Sequence, residues 1–122
     1  MMVHVFVMMD RRLNFLKKLW RLYFHENEII VNESVPNELP GVAFLSGGQT
    51  EIESTEHLDK MNKIGGFPWK LSFSYGRALQ QSALNAWLGK SENKNAGQLA
   101  FAHRAKMNKL AALGSWSSDL EN

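Results

Sequence analysis

Apolar and polar positions alternate along this chain in blocks with different periods. From Met2 to Met9 nearly every position is apolar, with His4 the exception, and this predicts a short strand. The period then changes: Leu13, Leu16, Leu19, Trp20, Tyr23 and Phe24 recur at helical spacing and predict an amphipathic helix over 11–25. A polar stretch from Glu26 to Asn37 follows, in which Ile29, Ile30 and Val31 suit a strand or a helix end equally. Pro36, Pro40 and Gly41 then punctuate the chain just before Val42-Ala43-Phe44-Leu45, which ends in Ser46-Gly47-Gly48. A run apolar at consecutive positions predicts a strand buried on both faces, as in a parallel sheet.

Thr50 and Glu53 have capping-box spacing, and Ile52, Leu58, Met61 and Ile64 predict a helix running to Gly65-Gly66. The strand-helix order then repeats. Pro68-Trp69 leads into a strand over 71–75, Gly76 follows, and a helix is predicted from Arg77 to Leu88 with Leu79, Ala83, Ala86 and Trp87 on its apolar side and Gly89 as its stop. After the polar loop 90–95, an alanine-rich helix runs to about Leu113 and ends at Gly114. Strand, helix, strand, helix, helix is an α/β order. No internal repeat is detectable at the residue level.

Composition narrows the chemistry. Of 122 residues, 44% are hydrophobic and 21% charged, which is the balance of a folded globular chain. The absence of cysteine removes disulfides, thiolate metal sites and cysteine nucleophiles, and fits a cytoplasmic location. His4, His25, His57 and His103 stand at no metal-ligand spacing, so no metal is expected. The net charge of +2 is uneven: Arg11, Arg12, Lys17, Lys18 and Arg21 face one acid, Asp10, within the first 25 residues, leaving nine basic and eleven acidic residues beyond. No apolar stretch approaches the ~20 residues of a membrane span, and the positive charges follow the first apolar run where a secretory signal would place them in front. The basic helix over 11–25 would also suit an anionic membrane surface or a nucleic acid. The plainer meaning, a core-facing helix with a solvated basic side, is preferred, so neither partner is expected.

Two strands in succession end in small, glycine-bearing turns that open helices: Leu45-Ser46-Gly47-Gly48-Gln49 and Ser74-Tyr75-Gly76-Arg77. Backbone N–H groups in such turns, added to the positive end of the following helix, make a phosphate site. Glycine allows the close backbone approach, and Arg77 would supply fixed charge and paired donors to the same anion. Alone, a Ser-Gly-Gly turn is usually only a turn and an arginine at a helix start is usually solvated. Together, on consecutive βα loops, they fall at one end of a parallel sheet, as in the phosphate site after the last two strands of a TIM barrel.

These same stretches carry a family resemblance. Val35-Pro36-Asn37-Glu38-Leu39-Pro40-Gly41-Val42-Ala43-Phe44-Leu45-Ser46-Gly47-Gly48-Gln49 is similar to V-P-x-x-x-x-G-[IV]-x-F-L-S-G-G-Q of class I (Schiff-base) fructose-bisphosphate aldolases, at their seventh barrel strand. Pro68-Trp69-Lys70-Leu71-Ser72-Phe73-Ser74-Tyr75-Gly76-Arg77-Ala78-Leu79-Gln80 is similar to P-W-x-L-[ST]-F-S-[YF]-G-R-A-L-Q at the eighth. Ser82 to Trp87 and His103 to Asn108 also resemble the family, while the helix leading to Met61-Asn62 matches A-x-x-N-L-N-x-[IM]-N only loosely. The resemblance implies the C-terminal part of a TIM (β/α)8 barrel, its last two strands and following helices, over 33–122, with 1–32 an extension unlike the family.

What it implies for the site follows residue by residue. Ser46, Gly47 and Gly48 would bind a phosphate of the sugar, with backbone from Leu45; Arg77 and the Gly76 amide would clamp a phosphate, and Ser74 would lie near the reacting end. The implied partners are fructose 1,6-bisphosphate and dihydroxyacetone phosphate, with no cofactor and no metal, because the family holds the substrate carbonyl as an iminium. The family's lysine lies in a motif like L-L-K-P on the sixth strand, and nothing of that form occurs here. Lys60 and Lys63 are expected on the outside of a helix, Lys70 at the far end of its strand, and His57 and His103 as partly exposed helix residues, so no catalytic residue is assigned. A sugar-phosphate-binding part of the enzyme is the first expectation. The alternative is a truncated, non-catalytic product that self-associates through unpaired sheet edges.

Overall fold

A computed structural model of the chain describes the backbone of Val5–Met8 and residues 36–122. The helix expected over 11–25 and the Ile29 to Val31 stretch lie outside the described residues. Strands β1 (Val5–Met8), β2 (Gly41–Leu45) and β3 (Lys70–Phe73) form one parallel sheet in that order. Met8 stands beside Leu45, and Phe44 beside Phe73. The family-like part predicted two strands; the described sheet has three, because the N-terminal apolar run pairs with β2.

Burial on both faces of β2 is not what the structure gives. Val42 and Phe44 are buried, while Ala43 and Leu45 are only half-buried. The buried side chains join Leu71, Leu58, Met61, Trp69, Tyr75, Ala78, Met107, Ala111 and Trp116 in a core between the sheet and the helices, so the sheet is covered on that face. β3 ends two residues earlier than the pattern predicted. Ser74 still donates its N–H to the Phe44 carbonyl at 2.8 Å, after which the chain turns to bury Tyr75.

Helix α1 spans Glu51–Ile64 and begins with the predicted capping box: Thr50 N–H donates to Glu53 Oε2 at 2.9 Å and Glu53 N–H to Thr50 Oγ1 at 3.2 Å. Its apolar stripe is only half right, since Ile52 and Ile64 are 48% and 53% exposed. The inward face is instead Ser54, Thr55, His57, Leu58, Asp59 and Met61. His57, expected to be partly exposed, is therefore buried. Two of these polar groups are met from the C-terminal part of the chain, Thr55 by Asn108 and Arg104 and Asp59 by the Trp116 N–H, while His57 meets Gln49.

Helices α2 (Arg77–Trp87) and α3 (Lys94–Ala112) are joined by the 3-10 turn Ser91–Asn93. α2 ends where Leu88 and Gly89 take φ of 54° and 71°. Gly97 of α3 permits close crossing, since a Cβ there would lie 2.9 Å from the Trp87 Cβ. The apolar side predicted for α2 is partly open, with Trp87 exposed and Ala78 the residue that is buried. Between α1 and α3, Arg104 donates to Thr55 Oγ1 at 3.1 Å and to both oxygens of Glu121 at 2.9 and 2.7 Å. Trp116 adds its indole N–H to Glu121 at 2.9 Å and its backbone N–H to Asp59 at 2.9 Å. This seam holds the C-terminal 3-10 turn Ser118–Glu121 against the body.

Candidate functional site

Two turns leave the sheet at the same end, one after each of two adjacent parallel strands. In the first, Gln49 N–H donates to the Ser46 carbonyl at 3.0 Å, and Gly47 and Gly48 take φ of 57° and 83°. Both values lie in the left-handed region, where a side chain is strained, so two consecutive glycines allow this backbone. Leu45, Ser46 and Gly47 are half-buried and Gly48 is exposed. In the second turn Ser74, Gly76 and Arg77 are exposed around the buried Tyr75. A Cβ on Gly76 would meet nothing within 4 Å, so the approach to this helix start is open.

The helix starts behind the two turns differ. At α1 the capping box has already engaged the N–H groups of Thr50 and Glu53, and the carboxylates of Glu51 and Glu53 occupy the first turn. That end is not an open anion site, contrary to the expectation that both helix starts would contribute. At α2 the N-cap is Gly76, no side chain caps the helix, no acid lies in its first turn, and Arg77 is its first residue. The helix start with neither a side-chain cap nor an acid in its first turn is thus that of α2, whose positive end stands open.

α1 braces both turns. The Tyr75 hydroxyl donates to the Ser54 carbonyl at 2.8 Å in a buried contact, and burial pushes the phenol's pKa far up, so it stays a donor. His57 Nδ1 stands 2.7 Å from Gln49 Oε1. Burial pulls the His57 pKa down to about 4, a shift that Lys60 reinforces and Glu56 and Glu53 oppose. The Glu51 carboxylate accepts the Ser82 N–H at 3.0 Å and also contacts its hydroxyl, tying the start of α1 to α2.

The sequence assigns no bracing role to Tyr75, Gln49 or Glu51, and it expects His57 to be a partly exposed helix residue. A histidine sharing a helical stripe with Leu58 and Met61 was the available signal for His57. The lysines behave otherwise: Lys60 pairs with Glu56, Lys63 reaches Asp59 at 2.6 Å and the Trp116 carbonyl at 2.8 Å, and Lys70 opens β3 at the end away from the turns. Among the described residues no group of His, Asp and Glu could hold a metal ion.

Parallel strand-helix units with glycine turns at the carboxyl ends of the strands define an α/β protein of the kind that builds sheets covered by helices. Residues 27–122 match the family model described as fructose-bisphosphate aldolase class-I. A fructose-bisphosphate aldolase of Dictyostelium discoideum is 52% identical over 89 residues, covering 73% of this chain and 25% of that relative. Fructose-bisphosphate aldolase B of Gallus gallus is 58% identical over 84 residues, covering 68% and 23%. Among solved structures, fructose-bisphosphate aldolase of Plasmodium falciparum, in complex with TRAP and a small molecule inhibitor, superposes with a TM-score of 0.76 at 44% identity, covering 79% of this chain and 28% of that one. The chain belongs to the class I fructose-bisphosphate aldolase family. It spans about a quarter of the length of the curated relatives it matches.

Proposed function

We propose that this chain supplies the sugar-phosphate-binding part of a class I fructose-bisphosphate aldolase, the enzyme that cleaves fructose 1,6-bisphosphate to dihydroxyacetone phosphate and glyceraldehyde 3-phosphate. The observation that carries this is the pair of turns at one end of adjacent parallel strands, backed by an α2 start that no side chain caps. Ser46 would give a hydroxyl and Gly47 and Gly48 their amides to one phosphate, with Leu45 lending backbone. Gly76 would add an N–H and Arg77 its guanidinium fork. Ser74 would stand nearer the reacting carbons.

The covalent step of the family needs an amine nucleophile of depressed pKa facing the substrate carbonyl. No described lysine lies in either turn. On this chain alone we therefore expect binding without cleavage. Borohydride reduction in the presence of dihydroxyacetone phosphate should leave the mass of the chain unchanged. A stable adduct, mapped to any lysine by peptide mass, would refute that.

The second reading, a non-catalytic piece that associates with itself, is favoured by the sheet. β1 and β3 stand at its two ends, and the face bearing Ala43 and Ser72 is not buried. A barrel needs eight strands to close, and a parallel sheet is normally covered on both faces. Residues 33–122 would then be the family-like unit and 1–32 an addition whose first strand extends it. Sedimentation velocity should show mass rising with concentration over the micromolar range; a monomer at every concentration would count against edge pairing. A cytoplasmic location is compatible with the cysteine-free composition, and no described helix is long and apolar enough to cross a membrane.

A further inference from the structure

We propose that His57 is a positioning residue for the first turn: its ring holds the Gln49 side chain and, through it, keeps Ser46-Gly47-Gly48-Gln49 in the shape that presents its amides to an anion. The proposal rests on the phosphate reading of that turn. Gln49 is fixed at two points. Its backbone N–H closes the turn onto the Ser46 carbonyl at 3.0 Å, and its Oε1 meets His57 Nδ1 at 2.7 Å. Oε1 only accepts, so Nδ1 carries the proton and donates. The ring itself cannot drift, because His57 is 7% exposed and sits between Thr55 and Leu58 on the buried stripe of α1, which packs against α3 and β3. A turn with two glycines at positive φ has little stiffness of its own, since glycine is the residue with the most backbone freedom to lose. The side-chain strut from α1 supplies what the backbone lacks. This helix is also where the chain departs from the quoted family motif, with His57 and Asp59 standing where A-x-x-N-L-N-x-[IM]-N has asparagine.

The 122-residue chain tests this through a double-mutant cycle on binding of inorganic phosphate and of dihydroxyacetone phosphate. H57L and Q49L should each weaken binding about tenfold, the effect of losing one partly buried hydrogen bond. The double variant should be no weaker than either single one, because both remove the same strut. H57Q, whose amide can donate at similar reach, should recover most of the loss. A merely structural histidine would lower the melting temperature of H57L and leave phosphate affinity as it was, and additive losses in the cycle would also overturn the proposal. Amide chemical shifts of Gly47 and Gly48 give a reading that needs no ligand: they should move in H57L and return in H57Q. Should the unaltered chain bind neither ligand, the phosphate reading fails, and unmoved glycine shifts would then dispose of the positioning role separately.

Discussion

Arg77→Ala should remove most of the chain's phosphate affinity while leaving the fold intact. The guanidinium is exposed at the first position of α2, beside a glycine N-cap, and none of its charge is spent on an acid in that helix turn. Hydrogen bonds from a charged donor contribute about 1.5–3 kcal/mol each, so losing a paired fork should cost on the order of 100-fold in affinity for inorganic phosphate or dihydroxyacetone phosphate. Arg77→Lys keeps the charge and loses the fork, and should fall about midway on the logarithmic scale. The melting temperature should shift little, because substitution of an exposed side chain usually changes stability by less than about 0.5 kcal/mol. Calorimetric titration of the three proteins decides the matter. Equal affinities would remove Arg77 from the site and with it the argument that the two turns share a ligand.

The sequence carried the architecture further than it carried the braces. Glycines at Gly47, Gly48 and Gly76, prolines ahead of β2 and β3 and the Thr50 to Glu53 box are local signals, each fixed by the backbone it permits, and the structure has strands and helix starts beside all of them. Apolar periodicity did less well. On α1 it selected Ile52 and Ile64, which face solvent, and passed over Thr55, His57 and Asp59, which face inward. Thr55 and Asp59 are tolerated by partners far along the chain, Asn108 and Arg104 for Thr55 and Trp116 for Asp59, and no local pattern announces such a pairing. The pairing of β1 with β2 is non-local for the same reason: a short apolar run predicts a strand without naming its neighbour. The capping box was legible, but its consequence was not, since recognising the box also means that the start of α1 is closed to an anion.

Acid should destabilise the chain well before its carboxylates protonate, and His57 is the reason. Its pKa is about 4 in the folded chain against 6.5 unfolded, because burial disfavours the charged ring. Between those values the unfolded chain takes up a proton that the folded chain refuses, so stability is complete above pH 6.5 and declines as pH falls toward 4. The lowered value corresponds to about 3 kcal/mol lost across that window, a large share of the ~5–15 kcal/mol that holds a typical domain together. Glu121 acts lower on the scale. Burial alone would raise its pKa, but hydrogen bonds from Arg104 and Trp116, with the Arg104 charge, outweigh burial and hold it below the ordinary carboxylate value. Its contribution is present above that ordinary value and is lost only as pH falls through the depressed one. Urea midpoints at pH 7, 5.5 and 4 should therefore drop steeply for the unaltered chain and stay nearly flat for H57L, whatever the starting stability of that variant. E121Q should lower the midpoint throughout that range, because the buried Arg104 loses its charged partner, yet keep the slope between pH 7 and 4. The same slope in H57L as in the unaltered chain would mean that His57 takes up its proton without leaving the fold, and the buried ring against Gln49 would have to be abandoned.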